Sequence, residues 1–116
     1  NAQMVIKYAE RYEKIMDSFP QEAFRLRFDL DSELPTPSQE LTTCVLKYLN
    51  LCSEEFYLRK KSYIAKDVWS IWEAELNRTL RSGLFRREWE SLRDEFVSYP
   101  DFRDFVEKTM KKGSAV

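Results

Sequence analysis

Apolar residues recur three and four positions apart along nearly the whole chain, and little interrupts them: two glycines and four prolines in 116 residues. Sandwiches and barrels need frequent turns, so this scarcity of breakers leaves room for a few long helices. The expected fold class is all-α, an antiparallel helical bundle of four to five main helices plus one short helix. The length suits one hydrophobic core, not two. A chain that is 43% hydrophobic and 34% charged is neither disordered nor membrane-spanning in composition.

The periodicity predicts helices over residues 3–18, 38–61, 66–82 and 85–97, and a last one over 100–111 opened by Pro100. Residues 20–35 read two ways. Phe24, Leu26, Phe28 and Leu30 alternate with charge like a strand, while Phe24 and Phe28 behind Pro20 suit a short helix over 20–28. A lone strand would lack a partner, so the helix is favoured. Thr36 or Ser38 should cap the next helix, and Gly83 reads as a helix stop. Residues 1–2 look like a scar of tag removal, 3–112 like a single helical domain and 113–116 like a flexible tail.

The helix over 38–61 is the most apolar. At about 100° per residue, Leu41, Cys44, Val45, Tyr48, Leu51, Cys52 and Phe56 share one broad arc, and Leu46 and Tyr57 point the other way. Such a helix belongs at the centre. Cys44 and Cys52 lie eight residues apart on it, roughly 12 Å, too far for a disulfide. Two buried free thiols are expected, which suits a reducing compartment.

The composition narrows the chemistry. There is no histidine, which removes the commonest general base and metal ligand and every nucleophile arrangement built on histidine. The net charge of −1 lacks the basic excess of a nucleic-acid binder, so no nucleic-acid partner is expected. The carboxylate pairs Glu54–Glu55, Glu73–Glu75 and Asp94–Glu95 lack the Glu-x-x-His elements of a di-metal bundle, and no loop has a calcium-binding spacing. No metal or other cofactor is expected.

Three groups remain as candidates. Glu55 falls near the middle of the apolar arc in LNLCSEEFYLRK. It is either a desolvated carboxyl able to act as acid or base, or half of an ion pair with Arg59 one turn later. The pair is the favoured reading. Arg78, Arg81, Arg86 and Arg87 crowd around Gly83 as a candidate anion patch, against a plainer role in capping and pairing with nearby acids. Trp69, Trp72 and Trp89 form either aromatic core or a pocket lining, with core favoured by their helical spacing.

The segments LKYLNLCSEEFYLRKKSYI, DVWSIWEAEL and FRREWESLRDEFVSYPDFRDFVE together resemble an uncharacterised bacterial family of small helical domains of unknown function. The matching positions are Leu49, Asn50, Glu54, the turn at 62–64, Trp69 and Trp89, with Ser62 where such sequences commonly carry glycine. The resemblance spans roughly residues 40–107. It implies a helical domain often placed behind an N-terminal transmembrane segment, and transfers no catalytic residues.

The expected role is a non-enzymatic protein-interaction module, cytoplasmic or tethered to the inner face of a membrane in the full-length protein. Contact with a partner or a second copy is expected through residues 3–19, and with a membrane only through a missing N-terminal segment. The alternative is a small-ligand or anion binder using the region from Trp69 to Arg87.

Overall fold

Helix α3 (Gln39–Lys60) is the axis of the molecule, because apolar residues cover most of its circumference and need neighbours on several sides. The computed structural model describes residues 2–29 and 33–114. Around α3 stand α1 (Ala2–Ser18), α2 (Gln21–Leu26), α4 (Lys66–Leu80), α5 (Gly83–Leu92), a 3-10 turn (Arg93–Phe96) and α6 (Pro100–Ser114). The fold is all-α, with no strand among the described residues. Helices α1, α4, α5 and α6 all pack on α3. None of the described helices is long and apolar enough to cross a membrane.

The core follows the apolar arc. Leu41, Cys44, Val45, Tyr48, Leu49, Leu51 and Cys52 are all buried, each large aliphatic contributing about 1.5–3 kcal/mol. Leu46 and Tyr57, expected to point away, are also half-buried against the core, because α3 is covered on more than one side. Both cysteines are free and buried. Phe56 joins α3 to its neighbours through rings, with Phe102, Phe105 and Trp69 at 5.8, 5.2 and 6.5 Å between centroids.

Local chemistry sets the boundaries. Ser38 caps α3 by accepting from the Leu41 N–H at 3.1 Å. At the other end, Ser62 N–H donates to the Arg59 carbonyl and Tyr63 N–H to the Leu58 carbonyl, both at 2.9 Å, a Schellman closure. That closure puts Ser62 at φ 65°, a left-handed conformation natural to glycine and costing another residue about 1 kcal/mol.

Four boundary expectations are corrected. Pro20 precedes α2 instead of opening it. Gly83 does not stop a helix: α4 already ends at Leu80, and Ser82 caps α5, whose first residue is Gly83. Its N–H donates to the Asp29 carbonyl at 3.1 Å, a close approach that a bare backbone permits. The helix expected over 85–97 tightens to a 3-10 turn after Leu92. Helix α6 continues through Ser114, so residues 113 and 114, expected in the tail, are helical, and Ala115 and Val116 lie outside the described residues. Ala2, read as part of a scar, is helical, and Asn1 lies outside the described residues, as does Leu30 of the alternating run.

Coverage differs between the first and fifth helices. Met4, Tyr8, Tyr12 and Ile15 of α1 are each half-buried. Phe85, Trp89, Leu92 and Phe96 are all buried.

Candidate functional site

The apolar arc of α3 carries Glu55 inward to where α1 and α4 approach. Among the described residues Glu55 and Arg59 form no ion pair, which corrects the favoured reading. Instead Arg59 Nη1 donates to the Ile64 carbonyl at 3.0 Å. The reversal at Ser62 brings that carbonyl back beside the end of α3, where a cation is favoured. Arg11, whose charge does bear on Glu55, is committed to Glu54 through two bonds of 2.8 Å. The Tyr8 hydroxyl also donates to Glu54, at 3.1 Å. Of two adjacent carboxylates facing one guanidinium, Glu54 takes it, and its carboxyl is held below the usual value chiefly by that contact.

Both α1 and α4 lie on α3 but make little contact with each other. The space between them is a cavity of about 200 Å³. Glu55 and Tyr48 of α3, Tyr8 and Tyr12 of α1, and Trp72 and Glu75 of α4 line it, with Glu13 among the remaining lining residues. Tyr8 and Trp72 span the gap, ring centroids 6.3 Å apart. Burial, and then the negative charge of Glu75, push the Glu55 carboxyl up to about 8. Glu75 Oε1 is buried without a hydrogen-bond partner. Burial and the same Glu75 carboxylate raise the Tyr12 phenol to about 12. The Cys52 thiol is pushed up by burial and by the charge of Glu55, so it is not a ready nucleophile.

Tyr12 and Glu75 also line an adjoining cavity of about 340 Å³, with Arg27, Phe28, Ile71, Ala74 and Arg78. The Arg27 guanidinium lies 3.8 Å from the Phe24 ring centroid and 4.4 Å from that of Phe28. Arg78 lies 4.1 Å from the Phe28 centroid. Arg27 Nη1 donates to the Phe24 carbonyl at 2.8 Å, while its Nε is buried without a partner.

The other candidates disperse. Trp89 is buried core and donates its indole N–H to Glu107 at 3.1 Å. Trp69 is half-buried between Phe56 and Phe105, and only Trp72 of the three lines the cavity of Glu55. The arginines do not converge as a patch. Arg86 donates to the Met110 carbonyl at 3.0 Å, and Arg87 to the Pro35 carbonyl at 2.6 Å and to Glu88 at 3.0 Å. Arg78 turns to Phe28, and Arg81 is exposed. Each inward-facing arginine finds a backbone carbonyl of its own, Arg86 on α6 and Arg87 in the loop before α3. Among the described residues no group of three or more acidic or cysteine side chains is placed to hold a metal ion.

Sequence reasoning missed Glu75 as the partner of Glu55, and missed Arg27. The signal for Glu75 was present. It stands three residues after Trp72 and one before Leu76, on the inward face of α4, just as Glu55 stands in the apolar arc of α3. No signal marked Arg27, which depends on how α2 is laid against α1 and α4. No family model matches the chain, and no curated protein or solved structure is significantly similar to it.

Proposed function

We propose that this protein is a non-enzymatic binding module whose α1–α4 cleft receives a cationic, amine-type group supplied by its partner. The observation that carries the reading is the pair Glu55 and Glu75, set in an aromatic cavity whose lining residues include no cation. Burying a carboxylate unanswered costs several kcal/mol, and an ammonium beside Glu55 would offset that cost while also reaching the unpartnered Oε1 of Glu75. Tyr8, Tyr12 and Trp72 add ring faces, which attract cations. The volume lies below the roughly 300–1,000 Å³ of pockets for drug-sized ligands, so it suits a single functional group. A carboxyl titrating near 8 would also suit acid–base chemistry. Binding is preferred because the lining supplies no cation to stabilise charge developing on a substrate.

The half-covered stripe of α1 supports contact with a partner at the same side of the molecule. A cytoplasmic setting, with tethering by a segment N-terminal to this domain, belongs to the same proposal. The two free buried thiols support it, since they suit a reducing compartment.

The test is an NMR titration of the protein with n-butylammonium at pH 8, following the indole N–H signals. Saturable shifts are expected at Trp72, with Trp89 unmoved, and Glu55→Gln should weaken binding at least tenfold. A response at Trp72 that never saturates, or that survives unchanged in Glu55→Gln and Glu75→Gln, would overturn the proposal.

A further inference from the structure

Four aromatic rings wall the cavity of Glu55: Tyr8 and Tyr12 from α1, Tyr48 from α3 and Trp72 from α4. They meet as two angled pairs. The ring planes of Tyr8 and Trp72 are 50° apart, and those of Tyr12 and Tyr48 are 63° apart with centroids separated by 6.2 Å. Neither pair is stacked face to face. The tyrosine hydroxyls are engaged by the protein itself. Tyr8 donates to Glu54, Tyr12 meets Glu75 and Arg27, and Tyr48 meets Cys52. What the tyrosines leave to a ligand is therefore ring surface. The Tyr8 ring already holds one cation, the Arg11 guanidinium 5.0 Å from its centroid. That guanidinium is answered by Glu54, so the pair adds little net charge beside the cavity.

We infer that the group this cavity receives is a trimethylammonium, held by the four rings with Glu55 and Glu75 beside it, and not a primary ammonium. This deepens, and rests on, the reading of the cleft as an amine site. Two physical differences select the methylated group. The first is size. A primary ammonium is about as large as a water molecule, whose share of the liquid is roughly 30 Å³. The cavity measures about 200 Å³, and a primary ammonium would leave most of that to water. Three methyl groups take up the space and reach the rings. The second is hydration. A primary ammonium carries three donors and is strongly hydrated, so burying it is costly unless each donor finds an acceptor. Burial keeps the Glu55 carboxyl protonated up to about 8, so near neutral pH it offers little charge in return. A trimethylammonium has no donor to satisfy and spreads its charge over its methyls. Ring faces attract such a cation directly, and that attraction persists when Glu55 is protonated.

Three probes with the same hydroxyethyl tail test this by calorimetric titration at pH 8: ethanolamine, choline and 3,3-dimethylbutan-1-ol. The first is a primary ammonium, the second its trimethylated form, and the third the neutral isostere of the second. Choline should bind about tenfold or more tightly than either of the others. Trp72→Leu, which keeps an apolar side chain but removes the ring, should abolish most of the preference for choline over the alcohol. Trp72→Phe, which keeps a ring, should retain it. A fourth probe, Nα-acetyl-Nε-trimethyl-lysine methylamide, separates the sources. Binding tighter than that of choline assigns the site to a methylated side chain of a protein, and the reverse order to a small quaternary amine. If ethanolamine binds as tightly as choline, the selection for methyl groups is wrong and the amine site stands. If the alcohol binds as tightly as choline, the cavity reads shape and not charge, and the inference falls. If neither cation binds, both readings fall.

Discussion

Glu88 and Glu55 both place a carboxylate on the inward face of a helix, and the molecule answers them in opposite ways. Glu88, on α5, is 4% exposed. It accepts from the Thr42 hydroxyl at 2.6 Å and from Arg87 Nε at 3.0 Å, and Arg87 is itself anchored to the Pro35 carbonyl. Three segments of chain meet to satisfy one acid. Glu55, on α3, meets a second carboxylate across a cavity, and its neighbour Glu54 has taken the guanidinium within reach. A fold able to satisfy Glu88 so fully is able to satisfy a buried acid. Glu55, with no ion pair among the described residues and a second carboxylate across the cavity, is therefore the place where an outside cation has something to gain. The same contrast separates the α5 stripe, fully covered by its own chain, from the α1 stripe beside the cleft, which is not.

The largest effect is expected on the satisfied side. Arg87→Ala leaves Glu88 buried alone and should destabilise the protein by about 3–5 kcal/mol at neutral pH, measured by urea unfolding. A loss under about 1 kcal/mol would mean that Glu88 is not held as an ion and that the contrast is false.

Glu55→Gln should move stability the other way, by a few kcal/mol as an order of magnitude once the pH has risen through the interval between the unfolded and folded values. Folding raises the Glu55 carboxyl from its ordinary 4.5 to about 8, so across that interval the folded chain holds the extra proton. The stability from this group is fully present below about 4.5 and is lost as pH rises through about 8. Glutamine carries no such dependence. The gain of the variant over the native protein should therefore grow between those values and level off above them. Glu75, Glu54 and Arg11 all bear on the same carboxyl, so the transition should be broader than that of an isolated group. Urea midpoints at pH 5 and pH 9 that differ equally in both proteins would break the prediction.

Arg59→Ala should have the smallest effect, about 1 kcal/mol, since it removes one bond to the Ile64 carbonyl at a helix end. The Glu55 titration, followed by carboxyl NMR, should stay in place. A shift of that titration on removing Arg59 would restore the ion pair that the sequence alone suggested.

How much was legible in the sequence follows from the range of the forces involved. Helix positions depend on neighbours three and four residues away, and the stripes of α1, α3, α4, α5 and α6 were readable for that reason. The failures at Gly83 and Leu92 were local but conditional. Gly83 serves a backbone approach from Asp29, fifty-four positions earlier, which no window of sequence contains. The position of Glu55 on a buried arc was also legible, because it depends only on the helical repeat.

What the sequence left open was the partner. By spacing, Glu55 had Arg59 one turn away, an interaction worth a few tenths of a kcal/mol on an isolated helix. The tertiary structure offered Arg59 a carbonyl at the end of α3 and offered Arg11 to Glu54 from another helix. It then set Glu75 opposite Glu55. The sequence by itself determined that the chain is helical, which faces are apolar and which charges ride on them, because these depend on a short-range repeat. The tertiary structure alone decided which charge meets which, because long side chains reach across helices and the burial that makes each meeting matter exists only once the helices pack.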